Sequence, residues 1–152
     1  MSAVLKTAEL APMREEHLAD VVAIESAIYT HPWTRGNFAD SLRADYECHI
    51  YRLNGHLIGY FVLMVAVGEA HLLNLSIAAP YQRRGHGTAL LEEATRLARV
   101  RGAANVFLEV RPSNRAAQDL YYRYGFRRVA VRRDYYPAHS GREDALVLSL
   151  SL

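Results

Sequence analysis

Gln82-Arg83-Arg84-Gly85-His86-Gly87-Thr88 stands between a strand-like run, residues 70–77, and a strongly amphipathic segment. That segment carries Leu90, Leu91, Ala94, Leu97 and Ala98 on one helical stripe, and Gly102 follows its last turn as a stop signal. Glycines at 85 and 87 let backbone N–H groups approach a ligand with no Cβ in the way. The N-terminus of the following helix adds about half a positive charge at the same place. Together they make a seat for a phosphate or a diphosphate. No Lys-Ser/Thr pair follows the second glycine, which excludes a Walker loop, and Leu90 stands where a dinucleotide fingerprint needs its third glycine. Alone, two glycines one residue apart are weak evidence, because an ordinary strand-to-helix turn looks the same.

On the N-terminal side of this loop the pattern is β. Residues 47–53 and 56–67 flank Asn54-Gly55, a pair that tolerates the positive φ angles of a tight hairpin turn. Gly68-Glu69 turns the chain again into residues 70–77, giving a three-stranded meander. Earlier still, residues 4–10 read as a short strand ended near Pro12. Leu18, Val21, Val22, Glu25 and Ile28 then have mostly helical spacing. Thr34 is an N-cap candidate for a second short helix, with Phe38 and Leu42 on one face. On the C-terminal side, residues 106–110 form a strand. Ser113 can cap a helix carrying Leu120, Tyr121 and Tyr124 before Gly125, and strands near 126–133 and 144–150 follow. The order βααβββαβαββ predicts an α/β (α+β) chain with a mixed sheet and helices on its faces.

Composition bounds the alternatives. The 152 residues fit one domain, 1–152, and 51% of them are apolar, enough for a core. The most apolar run, residues 57–67, is shorter than the ~20 residues of a spanning helix. No secretory signal is seen near the start, and a single cysteine, Cys48, permits no internal disulfide. A cytoplasmic protein is expected. The net charge of +2 comes largely from dispersed arginines, which suits a nucleotide diphosphate and equally suits RNA. Cys48 lies in a predicted strand and reads as core, and the seven histidines show no metal-ligand spacing.

The order of elements, with a Gln/Arg-x-x-Gly-x-Gly loop after the fourth strand, resembles the GNAT family of N-acetyltransferases across nearly the whole chain. The resemblance implies a mostly antiparallel sheet of seven strands with four helices, and acetyl-CoA as cosubstrate without a metal. It also implies that Leu75, Ser76 and Ile77 bond the acetyl-pantetheine, with Arg83, Arg84, Gly85, His86, Gly87 and Thr88 holding the diphosphate. Several segments resemble one branch, the bacterial RimI-type ribosomal-protein-alanine N-acetyltransferases: His31-Pro32-Trp33-Thr34, His71 to Ile77, Leu108-Glu109-Val110-Arg111-Pro112-Ser113-Asn114, Leu120-Tyr121 with Gly125-Phe126, Arg132-Arg133-Asp134-Tyr135-Tyr136-Pro137, and Gly141-Arg142-Glu143-Asp144-Ala145. Departures are small: Ser76 where Ala is commoner, Ala78-Ala79 where an acidic residue is frequent, and Tyr122 after the helix tyrosine.

By that resemblance Glu109 is the general base and Tyr121 the general acid. Asn114 bonds the pantetheine or a bridging water, and Trp33, Tyr135 and Tyr136 grip a peptide. Each has a plainer reading. Alternation along the strand alone makes Glu109 a solvated sheet residue, Tyr121 has aromatic neighbours at 122 and 124, and Asn114 stands at a helix start. The implied acceptor is a ribosomal protein N-terminus, that of small-subunit protein eighteen, beginning with alanine. No membrane and no direct nucleic-acid partner is expected, and the chain is expected to be a monomer or weak dimer. The same chemistry on a lysine or a small-molecule amine is one alternative. A non-catalytic acyl-CoA-binding or RNA-associated module is another.

Overall fold

A computed structural model describes residues 7–152. The element order is β1 (Ala8–Pro12), a 3-10 turn (Glu15–His17), α1 (Leu18–Ile28), α2 (Arg35–Arg43), β2 (Glu47–Leu53), β3 (His56–Ala66), β4 (Glu69–Ile77), a second 3-10 turn (Ala79–Tyr81), α3 (His86–Val100), β5 (Asn105–Val110), α4 (Arg115–Tyr124), β6 (Arg127–Pro137) and β7 (Arg142–Ser151). The strand order is β1-β2-β3-β4-β5-β7-β6 in one seven-stranded sheet. β4 and β5 pair in parallel, while β5 with β7 and β6 with β7 pair antiparallel. The expected sheet and four helices are therefore present.

By compactness the chain divides into two units: residues up to Val62 with Asn74–Leu90, and Leu63–Leu73 with Leu91–Leu152. In the first unit β1 runs antiparallel to β2, with Ala8 opposite Leu53 and Pro12 opposite His49. Pro12 is thus the last residue of the strand rather than a residue beyond it. A proline without an N–H is tolerated on this edge strand. The expected start of β1, residues 4–6, lies outside the described residues. Met13, Leu18, Val21, Phe38, Cys48, Ile50, Tyr60 and Val62 are buried together as this unit's core. Burial pushes the Cys48 thiol up to about 11, with Glu47 and Asp45 adding to the rise. A thiol held protonated in this way is a packing group. Thr34 caps α2 as expected: its hydroxyl accepts from Asn37 N–H at 3.1 Å, and the Asn37 side chain accepts from Thr34 N–H at 2.9 Å.

In the second unit the turn before β4 is Val67-Gly68, not Gly68-Glu69, with φ of 52° and 76°. The cap of α4 is Asn114, whose side chain accepts from Ala117 N–H at 3.2 Å, not Ser113. β6 runs to Pro137, past the expected end near 133, with register shifts between Arg128 and Ala130 and between Arg132 and Tyr136. Side-chain and backbone bonds explain the extension. Asp134 N–H donates to Asp144 Oδ1 at 2.9 Å, and Arg142 donates to the carbonyls of Asp134 and Tyr135. Among the described residues no helix is long and apolar enough to cross a membrane.

Candidate functional site

In the first unit β4 ends on Leu75, Ser76 and Ile77, and the glycine loop begins five residues later. Gln82 joins the two, its Nε2 donating to the Ile77 carbonyl at 2.8 Å. Arg83 and Gly85 both have left-handed backbone, with φ of 62° and 87°. A non-glycine residue in that region is uncommon and is held there by its surroundings. Alternation of this kind turns backbone N–H groups to one side, the geometry of an anion nest. The 15-residue helix α3 begins at His86, and its first N–H groups have no acceptor within the helix. A Cβ built on Gly85 meets nothing within 4 Å, so the space beside that residue is open. Arg83, Arg84 and Thr88 are exposed, and Gly87 is partly so. The His86 ring instead packs on Tyr51, with Nδ1 3.3 Å from the hydroxyl. The loop therefore exposes its backbone at 83–85, with the His86 ring packed on Tyr51.

Ser76 is 2% exposed, and its hydroxyl is engaged with the Asn74 side chain at 2.8 Å and the Tyr29 hydroxyl at 2.7 Å. The same cluster holds Glu25, a 2% exposed carboxylate on α1. Its Oε1 accepts from Tyr60 at 2.7 Å and Asn74 at 3.1 Å, and its Oε2 accepts from Trp33 N–H at 3.0 Å. Burial, with Glu25 adding its charge, pushes the Tyr60 phenol far above its ordinary range. Burial also pushes Tyr29 up to about 12, against the Ser76 hydrogen bond and with a contribution from Glu25. Both phenols are therefore donors at neutral pH. The Trp33 ring is partly buried and lies 5.1 Å from the ring of Phe38.

In the second unit Asn105, Phe107 and Glu109 are the half-buried residues of β5, alternating with buried Val106, Leu108 and Val110, and half-buried Arg111 follows the strand. Glu109 Oε1 lies 3.5 Å from Arg132 Nε, in a pair with side-chain exposures of 26% and 58%. An ion pair this long and this exposed is worth little. Tyr121 is 8% exposed and meets the Phe126 ring edge-on at 5.5 Å. Tyr135 and Tyr136 stack edge to face at 4.9 Å. Arg111 lies over the Tyr136 ring at 4.3 Å and Arg132 over that of Tyr135 at 5.2 Å. Burial, then the nearby Glu109 charge, pushes the Tyr136 phenol up despite Arg111, so it stays protonated. Glu109, Arg132, Tyr135 and Tyr136 thus form one neighbourhood. Asn114 uses its side-chain oxygen to cap α4, which leaves its amide nitrogen for other partners.

Glu143 organises this neighbourhood from β7. It accepts from Ser113 N–H at 2.8 Å, Ser113 Oγ at 3.0 Å and Arg111 at 3.2 Å, and Arg111 also donates to the Pro137 carbonyl at 2.8 Å. Sequence reasoning missed Glu25, Tyr60, Asn74 and Glu143 as site-forming residues. Glu25 carried a signal: a carboxylate in phase with Leu18 and Val21 on the buried face of α1. Among the described residues no group of three or more potential ligands is placed to hold a metal.

A seven-stranded mixed sheet with a glycine loop between its fourth strand and the helix that follows defines an α/β class of protein. The sequence model of the Acetyltransferase (GNAT) family matches residues 18–126. The chain belongs to that family. It is 38% identical over 129 residues to the ribosomal protein bS18-alanine N-acetyltransferase of Escherichia coli K12, covering 85% of this chain and 87% of that protein. It is 32% identical over 139 residues to the protein of the same name from Haemophilus ducreyi, covering 91% and 96%. The crystal structure of the ribosomal-protein-S18-alanine N-acetyltransferase from Escherichia coli superposes with a TM-score of 0.87, at 34% identity over 95% of this chain and 94% of that one. Ard1 from Thermoplasma volcanium shares the fold, with a TM-score of 0.87 at 24% identity over 95% and 97%.

Proposed function

We propose that this chain works as one domain, in the cytoplasm, to transfer the acetyl group of acetyl-CoA to the N-terminal amine of a protein, specifically the N-terminal alanine of ribosomal protein bS18. The observation that carries the reading is 38% identity, sustained over 85% of the chain, to a relative named for that reaction. The acceptor also makes chemical sense. An α-amine has a pKa of ~7.7–8.0 and a lysine side chain ~10.4, so near neutral pH the first needs far less deprotonation than the second.

In this reading main-chain groups of Leu75, Ser76 and Ile77 bind the acetyl-pantetheine. Backbone N–H groups of Arg83, Arg84, Gly85, His86, Gly87 and Thr88 hold the diphosphate, and the Asn114 amide bonds the pantetheine or a water. Trp33, Tyr135 and Tyr136 hold the acceptor peptide. Glu109 removes a proton from the α-ammonium, directly or through a water. The free amine attacks the thioester carbon and a C–N bond forms. A backbone N–H near Ser76 or Ile77 stabilises the oxyanion. Collapse breaks the C–S bond, and Tyr121 gives its proton to the departing thiolate. A thiol near 8.5 and a phenol near 10 make that last transfer uphill by roughly 2 kcal/mol at ordinary values, so the hydrogen bond acts mainly in the transition state.

The test is a thiol-release assay with acetyl-CoA and a peptide carrying the bS18 N-terminus. Fragmentation should locate the added mass on the terminal alanine. An N-terminally blocked peptide with an internal lysine should be inert, and turnover on it, or on a small amine alone, would replace the acceptor proposed here. Glu109→Gln and Tyr121→Phe should each lower kcat by about 10²–10⁴-fold while coenzyme binding persists. Undiminished turnover in the double variant would remove both roles.

A further inference from the structure

α1 presents Leu18 and Val21 to the core, and the next buried residue on that face is Glu25. A leucine there would continue the apolar face without the penalty of burying a charge, so the carboxylate is not the choice that stability alone would make. Glu25 gathers donors from three separate places. Trp33 N–H belongs to the segment joining α1 to α2, Tyr60 to β3, and Asn74 to β4. From Asn74 the chain of bonds continues through the Ser76 hydroxyl to the Tyr29 hydroxyl, at the other end of the same joining segment. Residues 29–33 are therefore fastened to β4 at both ends, and Thr34 closes the start of α2 with its capping box. One carboxylate oxygen bonds the Trp33 main chain, and the other bonds a side chain two residues from Ser76.

We propose that Glu25 is a positioning residue for the acceptor: with Asn74, Ser76 and Tyr29 it fixes Trp33 and its segment against the end of β4, and so sets how tightly the incoming N-terminal residue is held. The inference rests on the reading of Trp33 as an acceptor contact and of β4 as the acetyl-bearing strand. Reaction geometry tolerates little error, so a loosened Trp33 segment weakens acceptor binding before it affects the donor. Glu25 touches no reacting atom in this scheme.

Trp33 is the only tryptophan of the chain, which gives the segment its own fluorescent reporter. Glu25→Met keeps side-chain length but is only a weak hydrogen-bond acceptor. It should raise the acrylamide quenching constant of Trp33 by about 2-fold and the peptide KM by about 10-fold, with the acetyl-CoA KM within about 2-fold of the parent. Glu25→Gln should restore both readouts to within about 3-fold, because its oxygen can accept from Trp33 N–H while its amide donates to Tyr60 and to an inverted Asn74. Parent-like quenching and peptide KM in Glu25→Met, or equal rises in the KM of both substrates, would overturn the proposal. If the parent protein itself fails to acetylate the peptide, the acceptor reading is lost separately. Quenching then decides alone: a rise keeps Glu25 as the anchor of Trp33, and an unchanged value removes it. Should Glu25→Met not fold, Tyr29→Phe takes its place by deleting only the bond to Ser76. It should move the same two readouts by about 3-fold, and no change would count against the network.

Discussion

The two units of this chain order their candidate site residues by different physics. In the first, a fully buried carboxylate collects neutral donors: two side chains and one main-chain N–H, all within 3.1 Å. In the second, half-exposed ions do the work. Glu143 is bonded by Arg111 and Ser113, Arg132 approaches Glu109, and two guanidinium groups lie over tyrosine rings. Buried hydrogen bonds among neutral donors are insensitive to salt and costly to break, whereas half-exposed pairs are screened and easily reorganised. The first arrangement suits a rigid support. The second suits a surface that can rearrange.

The largest expected effect tests the rigidity of the first unit. A Cβ on Gly59 would lie 2.8 Å from the Ser76 carbonyl oxygen and 2.6 Å from Ile77 Cδ1. The isoleucine methyl can turn away, but the carbonyl belongs to β4 and cannot. Gly59→Ala should therefore lower the unfolding free energy by about 2–3 kcal/mol, as overpacking against backbone does. Urea denaturation measures this. A loss below about 0.5 kcal/mol would mean that β4 shifts freely, and the contrast of rigid with adaptable would fail at its first term.

A smaller effect should come from Glu143 in the second unit, and it should depend on pH and salt. Partial burial works against its charge, but the Ser113 side-chain and backbone hydrogen bonds and the Arg111 guanidinium outweigh it and hold the carboxyl below its usual range. A carboxyl depressed in the folded state stabilises above its unfolded pKa, and that contribution fades as pH falls through the folded value. Glu143→Gln should cost about 1 kcal/mol at pH 7, with the difference from the parent closing as pH drops below the unfolded value of about 4.3. Added salt, about 1 M, should shrink the same difference. A gap independent of both would show that Glu143 acts as a packing group, and the two units would then be alike.

The legibility of the sequence follows the same division between local and distant causes. The glycine loop at 82–88 and the helix after it could be read because they are contiguous in sequence, and the Thr34 cap because Asn37 is three residues away. The α4 cap was misplaced by one residue: Ser113 is a good cap by type, but Glu143, thirty residues later, takes both its hydroxyl and its N–H. The far end of β6 was missed for a similar reason, since Asp144 and Arg142 hold residues 134–135 from the opposite strand. The Glu25 cluster joins partners 35 and 49 residues apart, and no periodicity encodes such a meeting. Its one local trace is a carboxylate on an apolar face.

The last prediction concerns two matched turns, one in each unit. Asn54-Gly55 and Val67-Gly68 have nearly the same backbone, with φ of 51° and 83° against 52° and 76°. Asparagine enters the left-handed region at little cost, whereas a β-branched valine crowds its own carbonyl there. Val67 is fully exposed, so no packing offsets that strain. Asn54 also bonds across to Thr7 N–H at 3.0 Å, a contact its counterpart has no side chain to imitate. Val67→Asn should therefore raise stability by about 0.5–1 kcal/mol, and Asn54→Val should lower it by more than that, since it adds the strain and deletes a hydrogen bond. Thermal or urea unfolding of both variants measures the asymmetry. Equal and opposite shifts would assign the whole effect to backbone strain and leave the Thr7 contact with no part in it.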